Sequence, residues 1–172
     1  RRSSDLLAAL CMQARNREVH LRLIATSDIH GNYLPFDYIS RQPGRGGLSR
    51  VKTYVRTQRE ELGREQVVVL DNGDILQGQP TAYYYNFIDT TSTHFCAQAL
   101  NYIGYDAATI GNHDIETGHA VYDRWVGECN FPMLGANVVS TSTGRPYWKP
   151  YTIIERNGIR IGVLGMITPS IP

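Results

Sequence analysis

A chain of 172 residues with 42% hydrophobic and 19% charged residues carries enough apolar material for one compact domain, or most of one. Its formal net charge of +1 supplies no polybasic stripe for a nucleic-acid backbone, and no run approaches the roughly 20 apolar residues of a membrane-spanning helix. Polymeric nucleic acid and a membrane span are therefore both disfavoured.

In chain order, residues 1–18 read as a helical or disordered leader, in which Leu6, Leu7 and Leu10 make one apolar stripe before the polar run Gln13 to Arg17. A domain is expected over 19–172. His20 to Thr26 alternates as a strand does, and Asp28 and His30 project from its exit. Arg41 to Arg50, with three arginines and three glycines, reads as a surface loop. Leu48, Val51, Tyr54, Val55 and Leu62 recur at helical spacing before the stop signal of Gly63, which predicts a helix covering the sheet.

Val67 to Leu70 is a continuous β-branched run, typical of a strand buried on both faces, and Asp74 follows it in a glycine-punctuated turn. Asp71 is assigned to that turn. Tyr83, Tyr84 and Tyr85 with Phe87 are expected to pack on neighbouring elements. Phe95, Ala99, Leu100 and Ile103 predict a second helix ended by Gly104, with the thiol of Cys96 in the core. Ala107 to Ile110 is a third strand, which delivers Gly111, Asn112, His113 and Asp114. Val121, Tyr122, Trp125 and Val126 form a third helical face, with Cys129 as a second core thiol.

After Pro132 the pattern changes to strands at Met133 to Val139, Tyr151 to Glu155 and Ile159 to Ile167, the last two bracketing Asn157-Gly158, a type I′ hairpin signal. His20 is expected to open the first strand, and His94 and His119 to face solvent near helix starts. Alternating strands and helices predict an α/β fold with parallel strands and right-handed crossovers.

Three strand exits then bring Asp28, His30, Asp74, Asn112 and His113 towards one edge, where ligands collect in open α/β sheets. Carboxylate and amide oxygens mixed with imidazole nitrogen suit hard or borderline divalent ions. A carboxylate bridging two ions about 3.5–4 Å apart would clamp a phosphoryl group, and Asp74 is the candidate bridge. Asn112 offers an oxygen without charge, and His113 would lie beside the substrate.

The ordered set Asp28-x-His30, Gly73-Asp74 and Gly111-Asn112-His113-Asp114 resembles the calcineurin-like metallophosphoesterases, within them the 5′-nucleotidase and 2′,3′-cyclic-nucleotide phosphodiesterase group, from roughly His20 to Met166. The resemblance implies a four-layer α/β/β/α sandwich, of which the chain holds the N-terminal half to two-thirds. It implies that Asp28 and His30 bind the first metal, Asp74 bridges, Asn112 binds the second, and His113 is the catalytic histidine. An acidic residue three positions after that histidine, commonly aspartate, orients it in the nucleotidases; Glu116 stands there, with Asp114 as competitor.

The implied activity is hydrolysis of phosphate esters, nucleotides above all, by hydroxide held between two divalent ions: zinc, manganese, iron, magnesium or calcium. The implied location is periplasmic or extracellular. The family completes its site with downstream histidines, including a Gly-His-x-His motif that this sequence lacks, and binds the nucleoside through a separate C-terminal domain. The expected partners are therefore a small phosphate ester or nucleotide and a missing C-terminal part of the same protein. The alternatives are a catalytically incomplete fragment and a non-hydrolytic metal- or phosphate-binding module.

Overall fold

The structure, a computed structural model, describes residues 18–169, so the expected leader lies, but for residue 18, outside the described residues. The chain enters through β1 (Arg22–Thr26), forms a small ribbon from β2 (Phe36–Asp37) and β3 (Gln42–Pro43), and continues into helix α1 (Leu48–Leu62). Strand β4 (Val67–Asp71) follows, then the short helix α2 (Pro80–Tyr83), which runs into a π-helical turn at Tyr84–Ile88. Helix α3 (Phe95–Ile103), strand β5 (Ala107–Thr109), the single turn α4 (Asn112–Ile115), helix α5 (His119–Glu128) and strand β6 (Met133–Leu134) complete the parallel part. A hairpin of β7 (Tyr151–Arg156) and β8 (Ile159–Leu164) ends it.

The main sheet has the order β1-β4-β5-β6, all parallel. Val67, Val68 and Val69 are fully buried, as a strand covered on both faces requires. Each such side chain contributes about 1.5–3 kcal/mol of burial. Helix α3 buries Cys96, Ala97, Leu100 and Ile103, and Gly104, at φ 80°, takes the left-handed position that stops it. Helix α5 buries Val121, Tyr122 and Trp125. Because Thr26 pairs with Asp71 and Asp71 with Ala108, the strands end level with one another and their exit loops emerge on the same edge.

The hairpin pairs from Arg156 and Ile159 out to Tyr151 and Leu164. Its turn residues have φ 51° at Asn157 and 78° at Gly158, both positive as a type I′ turn demands. The strand expected from Met133 to Val139 is reduced to two residues because the backbone changes partner. Leu134 is the last residue paired with β5, after which Gly135 donates to the Lys149 carbonyl and Ala136 to that of Gly165, on the segments flanking the hairpin.

Other expectations also need correction. His94 is fully buried: it caps α3, its Nδ1 accepting the Cys96 N–H at 3.1 Å, and its Nε2 lies 2.9 Å from the Asn86 amide oxygen. Burial holds its pKa down at about 4. His119 is exposed at the start of α5, as expected, whereas His20, exposed beside Glu18, lies two residues before β1 rather than opening it. Tyr83 and Tyr84 are 60% and 47% exposed, so only Tyr85 packs inward, stacked on Phe95.

Candidate metal centre

Asp28 and His30 leave β1 in a loop whose backbone is laced to the loop leaving β4. Asp28 donates its N–H to the Gly73 carbonyl at 3.1 Å, His30 to Asp74 at 2.9 Å and Gly31 to Ile75 at 3.0 Å. This lacing brings ligand atoms of Asp28, His30 and Asp74 within 4.8 Å of one another. Among the described residues five non-glycines have positive φ, and three of them are Asp28 at 55°, His30 at 47° and Asp74 at 57°. Aspartate and histidine tolerate this left-handed region better than most residues, yet each still costs of order 1–3 kcal/mol unless its surroundings enforce it.

The third exit is locked to the second by Asp114. Its fully buried carboxylate accepts N–H groups from Asp74 and Gly111 on one oxygen, each at 2.9 Å, and from Ile75 and Leu76 on the other, each at 2.8 Å. Burial pushes this carboxyl up from its ordinary pKa against the pull of those donors. The loops touch so closely that a side chain has no room. A Cβ on Gly111 would stand 2.1 Å from Asp74 Oδ1, and one on Gly73, which has φ 86°, would stand 2.3 Å from the Gly111 nitrogen.

Asn112 opens α4, and the next residue, His113, donates its N–H to Asp74 Oδ1 at 3.0 Å. The His113 ring lies 5.4 Å from that of His30, edge to face. His113 Nδ1 is 2.9 Å from Glu116 Oε2, which also accepts from the Gln77 amide at 3.1 Å. That hydrogen bond raises the His113 pKa above the ordinary histidine value and lowers that of Glu116. Glu116, not Asp114, is therefore the partner of His113, because the two share one face of the helical turn while Asp114 points into the core. His30 Nδ1 lies 3.2 Å from the Gln77 carbonyl, and its Nε2 stands 3.8 Å from Asp28 Oδ1.

Asp28, His30, Asp74, His113 and Glu116 are thus gathered at one edge, with Asn112 adjoining through the backbone. Sequence reasoning missed the buried clasp of Asp114 and the link made by Gln77, neither of which has a spacing signal of its own. The donor set fits a divalent cation, since two carboxylates and an imidazole converge at a partly exposed loop edge, and none is consumed by a salt bridge to arginine or lysine among the described residues.

The profile of the calcineurin-like phosphoesterase family matches residues 21–163. The chain is 34% identical over 170 residues to the trifunctional nucleotide phosphoesterase protein YfkN of Bacillus subtilis, covering 90% of this chain and 11% of that protein. It is 30% identical over 180 residues to a 2′,3′-cyclic-nucleotide 2′-phosphodiesterase/3′-nucleotidase of Yersinia enterocolitica, covering 98% of this chain and 27% of that one. The crystal structure of the calcineurin-like phosphoesterase YfkN from Bacillus subtilis superposes with a TM-score of 0.76 at 33% identity, over 90% of this chain and 50% of that chain. The chain therefore spans between about a tenth and a half of the length of these relatives.

Proposed function

The chain belongs to the calcineurin-like phosphoesterase family, a family of metal-using phosphoric ester hydrolases, and from that premise we propose that it serves hydrolysis of nucleotide phosphate esters. The observation that carries this reading is the convergence of Asp28, His30 and Asp74 within 4.8 Å, beside a histidine paired to Glu116. Asp28, His30 and Asp74 would hold one divalent cation, and Asp74 with Asn112 would hold a second. Divalent cations bound there would polarise the phosphoryl oxygens and acidify water. His113, whose pKa the hydrogen bond to Glu116 raises, binds the phosphoryl group and passes a proton to the leaving oxygen. Glu116 fixes the ring through Nδ1, so that Nε2 is the nitrogen turned to that task. Nucleotides are preferred because the similar proteins bear the names of nucleotide phosphoesterases and nucleotidases.

No helix among the described residues is long and apolar enough to cross a membrane. A periplasmic or extracellular location is proposed from the family resemblance.

Titration with Mn2+ and with Zn2+, paired with turnover of an aryl phosphate diester and of AMP, tests the reading on the unsubstituted chain and on Asp74→Asn. Retained metal in the first and lost metal in the second is the expected result; equal binding in both overturns the assignment. A second reading is favoured by one observation. Of the five histidines only His30 and His113 reach this edge, while His20 and His119 pair with Glu18 and Asp123, and His94 is buried against Asn86. In that reading the remaining ligands come from a segment outside this chain, and metal binding without turnover is its signature.

A further inference from the structure

Beneath the cluster, the ends of β1 and β4 carry a polar chain, half-buried at Thr26 and buried at Asp71, with no part in the roles above. Thr26 and Asp71 lie opposite one another in the strand register. Asp71, only 3% exposed, accepts the Thr26 hydroxyl on Oδ2 at 2.5 Å and the Gly73 N–H on Oδ1 at 3.0 Å. The Tyr105 hydroxyl stands 2.8 Å from Thr26 Oγ1. Since the single proton of Thr26 goes to Asp71, Tyr105 is the donor in that contact. Gly73 is held on its other side as well, because its carbonyl accepts the Asp28 N–H, and it directly precedes Asp74. One glycine clamped at both its N–H and its carbonyl thus stands between two residues of strained backbone.

We propose that Asp71 is a positioning residue that sets the spacing between Asp28 and Asp74, acting through Gly73 and without touching the cation. The proposal rests on the reading of Asp28 and Asp74 as metal ligands. A turn carboxylate at the surface would satisfy Gly73 equally well, but it would leave the turn free to move with solvent. Anchoring Asp71 to Thr26, and through it to Tyr105, ties the turn to the strand that delivers Asp28 and to the loop before β5. Strained backbone persists only where surroundings over-determine it, and here the surroundings are this polar chain and the lacing above it.

The test uses amide hydrogen exchange at Asp28 and Gly73 of the 172-residue chain, measured by NMR without metal, together with Mn2+ affinity measured by electron paramagnetic resonance. In Asp71→Ala both amides are expected to exchange roughly ten- to a hundred-fold faster and Mn2+ to bind weaker by a similar factor. Asp71→Asn is expected to rescue both, because an amide oxygen still accepts from Gly73. Thr109→Val, which removes a buried hydroxyl bonded to the Leu134 carbonyl in the same sheet, serves as the control. It is expected to lower the urea midpoint and leave both readouts unchanged.

The proposal is overturned if Asp71→Ala moves the two amides no more than Thr109→Val does, or if Asp71→Asn fails to rescue. Should Asp71→Ala not fold, Thr26→Val keeps the volume and removes the anchor, and unchanged exchange in it is equally fatal. Absence of Mn2+ binding in the unsubstituted chain would refute the ligand reading, and exchange at the two amides would still decide the role of Asp71.

Discussion

Replacing Asp114 by asparagine changes one atom, and the structure fixes what that atom does. One carboxylate oxygen accepts from Ile75 and Leu76 and the other from Asp74 and Gly111. Asparagine keeps one such oxygen and turns an amide NH2 towards the second pair, so two buried N–H groups lose their acceptor and face a donor. At about 1–3 kcal/mol for each stranded donor, Asp114→Asn should destabilise the chain by about 2–6 kcal/mol. That is a large part of the about 5–15 kcal/mol that holds a domain together. With a urea slope of about 2 kcal/mol per molar, the midpoint should fall by roughly 1–3 M. Trp125 is fully buried, so tryptophan fluorescence in metal-free buffer at pH 8 reports the transition. A midpoint shift below about 0.5 M would show that the loops do not depend on this clasp.

Glu116→Gln removes the charge that holds the His113 pKa up, so the imidazole should titrate lower, towards the ordinary histidine value. A raised pKa stabilises the folded state at acid pH and loses that contribution as pH rises through it, while the lowered Glu116 pKa contributes only above its own titration, so the variant should lose stability chiefly between the two titrations. Histidine ring signals followed by NMR against pH, with EDTA present, check this, and an unchanged His113 titration refutes the pairing. Asp71 has its pKa raised from 3.8 to about 7, chiefly by burial. Its contribution to stability is present in full below about pH 4 and fades as pH rises through 7, a difference on the order of 4 kcal/mol. Asp71→Asn should flatten that slope in metal-free urea titrations between pH 4 and 8, and a slope equal to that of the unsubstituted chain counts against it.

The sequence made the scaffold readable where side-chain periodicity and glycine punctuation coincide. The run Val67 to Leu70, the helix stopped at Gly63, the cap at Gly104 and the turn at Asn157-Gly158 all sit where their local chemistry places them. Local chemistry fails where the partner is distant. His94 carries the right position for a helix cap, but its burial depends on Asn86 and on Glu128, which accepts its backbone N–H. The strand from Met133 stops early because the segments flanking the hairpin compete for its backbone groups, and no residue between Gly135 and Val139 announces that competition. At the site, the residue types marked the candidate edge and the position three after His113 pointed to Glu116, but nothing in the order announced that its competitor Asp114 would be a buried clasp.

The left-handed backbone of Asp28, His30 and Asp74 lies one step further from the sequence, and it explains why the supporting groups are so densely buried. Three residues strained at once would relax if any one loop were free, since a single rotation would carry its ligand atom away from the others. Each loop is instead held from two directions. The first is laced to the second by backbone bonds from Asp28, His30 and Gly31. The second is fastened to the third by Asp114 from within and by the His113 N–H on Asp74. The first and second are tied again at the strand ends through Thr26 and Asp71. Removing one tie therefore transfers load to the others, so that paired substitutions at Asp71 and Asp114 should cost more than the sum of their separate effects. Such coupling is what residues sharing one network show, and independent sites do not.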